Sequence, residues 1–320
     1  MSDNTKISWT DATWNPVTGC SPVSEGCRNC YAERDWPRLS SNNKTIYFGR
    51  TFSDVQLHKE RLSIPLKWRR PRKIFVNSMS DLFHPSLSDE KIDQVFAVMA
   101  LAQEHTFQVL TKRPERMKEY FSKLEQDMAR RFHLFQTIRD IAQTERIQKV
   151  LDPEVSFGLP LKNVWLGVSV ENQEAADDRI RILLEIPATL HWISMEPLLG
   201  PVSLEEVPVG MLGPLRPGAK TNLPKVKWVV VGGESGPAAR PMEGDWLRKI
   251  KYECEAANVP LFVKQLGAAY SDSKDGLAGK SLKIPEEAIY LLKRRFAHRS
   301  GADIEEWPEE FKKREFPVIF

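Results

Sequence analysis

Short apolar runs recur along this chain, each followed by a polar or charged cluster. They are TWNPVTG (13–19), KIFVNSMSD (73–81), TFQVLTKRP (106–114), NVWLGVSVEN (163–172), LHWISMEPL (190–198), WVVVGGESG (228–236) and PLFVKQLG (260–267). None alternates cleanly, so each predicts a strand buried on both faces rather than one with a wet side. Between them lie DEKIDQVFAVMALAQEH (89–105), ERMKEYFSKLEQDMARRF (115–132), QEAADDRIRILLEI (173–186) and DWLRKIKYECEAAN (245–258), with apolar residues near i, i+3, i+4. Strands and amphipathic helices in series predict an α/β fold. The reading is a partial or complete (β/α) barrel of six to seven parallel strands, with loop insertions and a C-terminal tail. A doubly wound sheet is the alternative, but no Gly-rich phosphate loop follows the first strand.

The barrel is placed at residues 1–267, with Pro/Gly-rich excursions at about 31–72 and 200–226. Residues 268–320 read as an extension packed on the barrel. At 320 residues the chain can bury a large core. Its 41% hydrophobic and 28% charged content is ordinary for a globular protein. The net charge of +3 permits a nucleic-acid partner without arguing for one. No run of about 18 apolar residues predicts a membrane span, and the polar start MSDNTKISWTD does not read as a signal peptide.

Cysteine usage sharpens the picture. Of four cysteines, three (Cys20, Cys27 and Cys30) fall in GCSPVSEGCRNCYAE; the fourth, Cys254, sits in a helix-like stretch and reads as a small buried hydrophobe. An odd number cannot close into disulfides among themselves. Three thiolates on one loop suit a metal or an iron–sulfur cluster with one position left open. So few cysteines, so clustered, point to a reducing cytoplasm. In parallel β/α folds, chemistry gathers at the C-terminal strand ends. Those ends carry Cys20; Ser78, Ser80 and Asp81; Thr111, Lys112 and Arg113; Ser169, Glu171 and Asn172; Ser194 and Glu196; Glu234 and Ser235; Lys264 and Gln265. Adjacent parallel strands would turn these groups toward one cavity, with the cysteine loop at its rim.

A three-cysteine loop after the first strand of a (β/α) barrel resembles the radical S-adenosylmethionine superfamily. The ordered set TWNPVTGCSPVSEGCRNCYAE, FVNSMSDLFH, LTKRPERM, VWLGVSVENQEAADDRI, ISMEPLLGPV, VVVGGESGPAARPM and PLFVKQLG more closely resembles an uncharacterised bacterial and phage three-Cys-motif family related to it. The superfamily spacing is C-x3-C-x2-C, and here it is C-x6-C-x2-C. Its aromatic before the last cysteine is replaced by Asn29, and Tyr31 follows instead, standing as the aromatic on the cofactor side. SMSD occupies the place of its Gly-Gly-Glu element.

The resemblance implies a radical-SAM-like barrel in which Cys20, Cys27 and Cys30 hold a [4Fe–4S] cluster whose fourth iron takes S-adenosylmethionine. Reductive cleavage then gives a 5′-deoxyadenosyl radical that abstracts hydrogen. Asp81 or Ser80 would receive the methionine ammonium. Ser169, Glu171 or Asn172 would bond the ribose. Lys112, Arg113, Arg240 and Lys264 would hold an anionic substrate such as a nucleotide phosphate, beside Ser235 and Gln265. Glu196 and Glu234 are candidate proton-transfer groups, with Lys112 and Lys264 as further catalytic candidates. The implied partners are an electron donor such as flavodoxin or ferredoxin, a nucleotide or nucleic-acid substrate, and a methyltransferase-like protein. LTKRP is similar to a segment of spore-photoproduct-lyase-like proteins, which favours the nucleic-acid class.

Two rivals stand beside this reading. One is a structural zinc on the three cysteines, with His58 or His84 as the fourth ligand. The other is a nucleic-acid-binding role for KWRRPRK (67–73), which could grip phosphates or simply be a solvated loop. No G-x-S-x-G elbow and no G-K-[ST] phosphate loop is present.

Overall fold

The computed structural model describes residues 5–147, 159–205, 225–272 and 300–318. Much of the 200–226 excursion and of the 268–320 extension therefore lies outside the described residues. Chain contacts divide it into two compact units.

The first unit comprises residues 1–168 and 182–191. It contains β1 (Ala12–Trp14), β2 (Val17–Thr18), α1 (Tyr31–Ser40), β3 (Gln56–Leu57), α2 (Lys59–Leu62), β4 (Lys73–Val76), α3 (Asp89–Leu101), β5 (Thr106–Thr111), α4 (Pro114–Gln126), α5 (Met128–Thr144) and nearly all of β6 (Val164–Ser169). The second unit, residues 169–181 and 192–320, holds most of α6 (Gln173–Leu184) and of β7 (Leu190–Met195). It also holds β8 (Trp228–Gly232), β9 (Met242–Glu243), α7 (Gly244–Ala256), β10 (Leu261–Gln265) and β11 (Tyr270–Ser271).

The seven apolar runs supply the seven strands of the main sheet, ordered β1-β4-β5-β6-β7-β8-β10. Ala12 pairs with Ile74, Lys73 with Thr106, and Phe107 with Val164, all in parallel register. In the second unit, Trp192 pairs with Trp228 and Val229 with Leu261, again parallel. This is the topology of a partial (β/α) barrel. The strands are apolar throughout because both faces are covered: β6 and β8 are buried at every position. The core is rich in indoles, with Trp9, Trp14, Trp192 and Trp228 each no more than 2% exposed.

The helices depart from expectation at two places, the first being α1 and α2, which fall in the 31–72 stretch expected to be a loop excursion. The second is the stretch 115–132, which is two helices, not one, because Asp127 interrupts it. Its carboxylate accepts the N–H groups of Ala129 (2.8 Å) and Arg130 (3.2 Å), capping α5 as a new start. A buried acid then fastens α5 to its neighbours. Asp93 on α3 accepts from Tyr120 on α4 (2.8 Å) and from Arg130 (2.7 Å) and His133 (2.9 Å) on α5.

Residues 300–318 pack within the second unit. Val263 N–H donates to the Lys313 carbonyl (2.9 Å) and Glu315 N–H to that of Leu261 (3.0 Å), so this segment runs antiparallel beside β10. Phe316 stacks on Trp228 and meets Phe262 edge-on, and the Trp228 indole donates to the Glu315 carbonyl.

Candidate functional site

The cysteine loop leaves β2 through a turn that only glycine can make. Gly19 has φ +92°, and a Cβ there would lie 2.2 Å from the Asp54 carbonyl oxygen. The turn is pinned to the SMSD segment: Gly19 N–H donates to the Met79 carbonyl (3.1 Å), and Ser80 Oγ donates to that of Val17 (2.9 Å). Asn15 Oδ1 accepts from Met79 N–H and Ser78 Oγ, both at 3.1 Å. Cys20 N–H then donates to the Phe52 carbonyl (2.8 Å). Cys27 closes a 3-10 turn, and Cys30, whose N–H donates to the Cys27 carbonyl (3.1 Å), stands at the cap of α1. Tyr31 opens α1, and its hydroxyl donates to the Ser78 carbonyl.

Behind the loop sits a buried ion pair. Arg113 Nη1 lies 3.0 Å from Asp81 Oδ2 and 3.7 Å from Cys20 Sγ, and its Nη2 donates to the Ser21 carbonyl at 2.7 Å. Asp81 also accepts from Thr111 Oγ1 (2.8 Å), Phe83 N–H (2.9 Å) and Lys112 N–H (3.2 Å). Its carboxylate is thus committed to β5 and to its own turn. Burial and the neighbouring Asp81 charge push the Cys20 thiol up to about 11, against the pull of Arg113. Cys20 is therefore a neutral thiol until its proton is displaced.

All four cysteines are free. Three are partly exposed, whereas Cys254 is sealed in α7 with its thiol pushed up to about 12 by burial. The donor set fits a thiophilic centre: three accessible thiols within eleven residues, none spent on a disulfide. Their sulfurs are not gathered, since among the described residues no three His, Cys, Asp or Glu side chains are placed to hold a metal ion. The zinc alternative finds no ready fourth ligand. His84 Nδ1 accepts from Ser86 N–H (3.1 Å), so its Nε2 carries the proton shared with Ser21 Oγ (2.8 Å). His58 is buried against Thr18 Oγ1 at 2.7 Å.

The remaining strand-end candidates fall in the second unit, and most are paired. Glu171 is clasped by Arg179 (2.8 and 3.2 Å), whose Nη1 also donates to the Ser169 carbonyl (2.8 Å). Asn172 caps α6 by accepting from Ala175 N–H (2.9 Å). Glu234 is held by Arg240 through its Nε (3.0 Å), Nη2 (2.6 Å) and backbone N–H (2.8 Å); Ser235 follows it in the same turn. Gln265 donates to the Gly233 carbonyl (2.7 Å). Gly233 allows two backbones to cross, because a Cβ there would lie 2.3 Å from the Leu266 carbonyl oxygen. Glu196 and Lys264 lie 2.7 Å apart, held by charge without the alignment of a hydrogen bond, and Ser194 Oγ donates to the other carboxylate oxygen at 3.3 Å.

Arg179 and Ser21 belong to these sites and were not singled out by the sequence reading. Arg179 could have been found, since it lies two helical turns beyond Glu171 and faces back toward the strand end. Thr111 stood among the strand-end residues, but nothing marked it as the anchor of Asp81.

No helix among the described residues is long and apolar enough to cross a membrane. No curated protein and no solved structure matches the chain. A family model described as "Protein of unknown function (DUF5131)" matches residues 4–308. With that match spanning nearly its whole length, the chain belongs to the DUF5131 family.

Proposed function

We propose that this chain is an iron–sulfur enzyme of the radical S-adenosylmethionine type, with Cys20, Cys27 and Cys30 as cluster ligands and a nucleotide or nucleic-acid-related substrate. One observation carries the reading: the three free thiols of the loop after β2 are accessible while the fourth cysteine is sealed. A [4Fe–4S] cluster bound there would leave one iron open to S-adenosylmethionine and supply the electron for its reductive cleavage.

The chain's own groups support that task. Gly19 and the SMSD turn fix where Cys20 leaves the sheet. Arg113, 3.7 Å from Cys20 Sγ, favours the thiolate once ligation displaces the proton. Asp81 keeps Arg113 in place. Thr111 holds Asp81, which ties β5 to the loop through Arg113. In the second unit, Glu196 and Lys264, 2.7 Å apart, are the candidate pair for proton transfer. Glu171 and Glu234, clasped by arginines, are suited to holding backbone turns in place.

Anaerobic purification, iron and sulfide analysis, and electron paramagnetic resonance of the reduced protein test the reading. The expected result is about four irons and four sulfides per chain, lost in Cys27→Ala but kept in Cys254→Ala, with a spectrum that shifts on adding S-adenosylmethionine. One zinc without sulfide, and no response to the cofactor, would overturn it in favour of a structural metal.

A further inference from the structure

The N-terminal ends of the first unit's strands, opposite the cysteine loop, carry a second surface. Lys67, Arg69, Arg70, Arg72 and Lys73 lie within seven residues, KWRRPRK, without an acid among them. The register places them. Thr106 N–H donates to the Arg72 carbonyl (2.8 Å), and Phe107 N–H to that of Asn163 (2.8 Å), so the entries to β4, β5 and β6 lie in one row. Lys162, exposed, stands in that row beside Asn163.

The segment is anchored rather than loose. A 3-10 turn, Pro65–Lys67, precedes it, and His105 Nε2 lies 3.0 Å from the Pro65 carbonyl. Lys73 N–H donates to Asp11 at 2.7 Å. Arg72 lies over the Trp68 ring at 4.8 Å, and that ring meets His105 edge-on. Lys67, Arg69 and Arg70 project from this frame. All three are exposed, and among the described residues their side chains make no ion pair or hydrogen bond. Elsewhere in the first unit, cations at structural positions are matched: Arg50 with Asp54, Arg113 with Asp81, Arg116 with Asp89 and Arg130 with Asp93.

We infer that this row of strand entries is a docking surface for the sugar–phosphate backbone of a nucleic acid, gripped by Lys67, Arg69 and Arg70 with Lys162 and the stacked Arg72 beside them. Lys67, Arg69 and Arg70, on an anchored backbone, can neutralise phosphates with little backbone ordering, and such contacts carry no base readout. The segment has no exposed large apolar side chain to enter a bilayer, which favours nucleic acid over an anionic membrane. The strands run from this end to the cysteine end, so a bound strand leaves the thiols uncovered. The inference rests on the basic segment alone and is independent of what the cysteines bind.

Fluorescence anisotropy with a labelled oligo(dT) strand and a labelled duplex, read over a range of salt concentrations, tests it on the full chain. The triple variant K67E/R69E/R70E is expected to bind at least about tenfold more weakly at low salt, and to lower the slope of log affinity against log salt by about two to three. K67Q/R69Q/R70Q should lower the slope likewise, which guards against misfolding of the reversed triple. The charge-matched K44E/R139E/K225E, at exposed cations elsewhere, should keep the parental slope. An unchanged slope in both basic-segment triples, no oligonucleotide binding by the parent chain, or binding to phosphatidylserine vesicles alone would each overturn the inference.

Discussion

Arg113 in the first unit and Arg179 in the second differ in the groups each serves. Arg113 is shared: it faces Asp81, the Cys20 sulfur and two oxygens of Ser21. Arg179 is given to Glu171 and one backbone carbonyl beside it. A shared cation is a device for placing a loop, because moving any client disturbs the others. A dedicated cation makes a buried carboxylate tolerable and does little else. The difference separates a pair built beside a reactive loop from one that steadies a strand end.

The largest effects should come from breaking the buried pairs. Arg113→Met and Arg179→Met each strand a buried carboxylate and should cost about 3–5 kcal/mol, read as a lower urea midpoint. Lys264→Met, at a partly exposed pair, should cost about 1 kcal/mol or less. Equal losses in all three would dissolve the distinction between buried and open pairs.

Thiol alkylation sharpens the comparison next. With the Cys20 thiol at about 11 against an ordinary 9.0, its thiolate fraction near pH 8 is roughly 100-fold below that of an unperturbed thiol. Peptide mapping after brief iodoacetamide treatment of metal-free protein should find Cys27 and Cys30 labelled first, Cys20 later and Cys254 last. Asp81 raises the Cys20 value and Arg113 lowers it, so Asp81→Asn should speed labelling of Cys20 and Arg113→Met should slow it. Opposite signs would remove Arg113 from its sharing role.

Smaller effects remain. Asn172→Ala removes the α6 cap and should cost about 1 kcal/mol in thermal or urea unfolding. Acid should loosen the two units unequally. Burial, first among the causes, lowers the pKa of His58, His84 and His191 from 6.5, and all three lie in the first unit. Groups with depressed folded values contribute stability above pH 6.5 and lose it as pH falls below, where only the unfolded chain takes up protons freely. Hydrogen exchange near pH 5.5 should therefore show first-unit amides losing protection before those of the second unit. Equal loss in both would remove the histidines as the cause.

The strands were legible because doubly covered parallel strands must be apolar at nearly every position, as in VWLGVS and WVVVG. The cysteine loop was legible by composition. Short α1 was not: Pro37 interrupts YAERDWPRLS, and only Ala32 and Trp36 are buried. The break at Asp127 was hidden because apolar spacing continues across it, and only the side chain's choice to cap rather than extend decides. The partnering of Glu196 with Lys264 depends on side chains far apart in sequence meeting in space, which no local pattern encodes. Asp81 shows the same limit. Its place at a strand end was plain, but its four donors come from two segments of chain, its own turn at Phe83 and the distant stretch 111–113.

The segment that runs antiparallel beside β10 has a consequence for solubility. Among the described residues no further strand of the main sheet lies beyond β10, and Lys313 and Glu315 occupy backbone groups there that would otherwise template another chain. Phe316 likewise shields the rings of Trp228 and Phe262. Shortening the chain to end before Lys312 would bare an apolar, unpaired edge. The foreseeable outcome is self-association through that edge, with little change to the cysteine loop in the other unit.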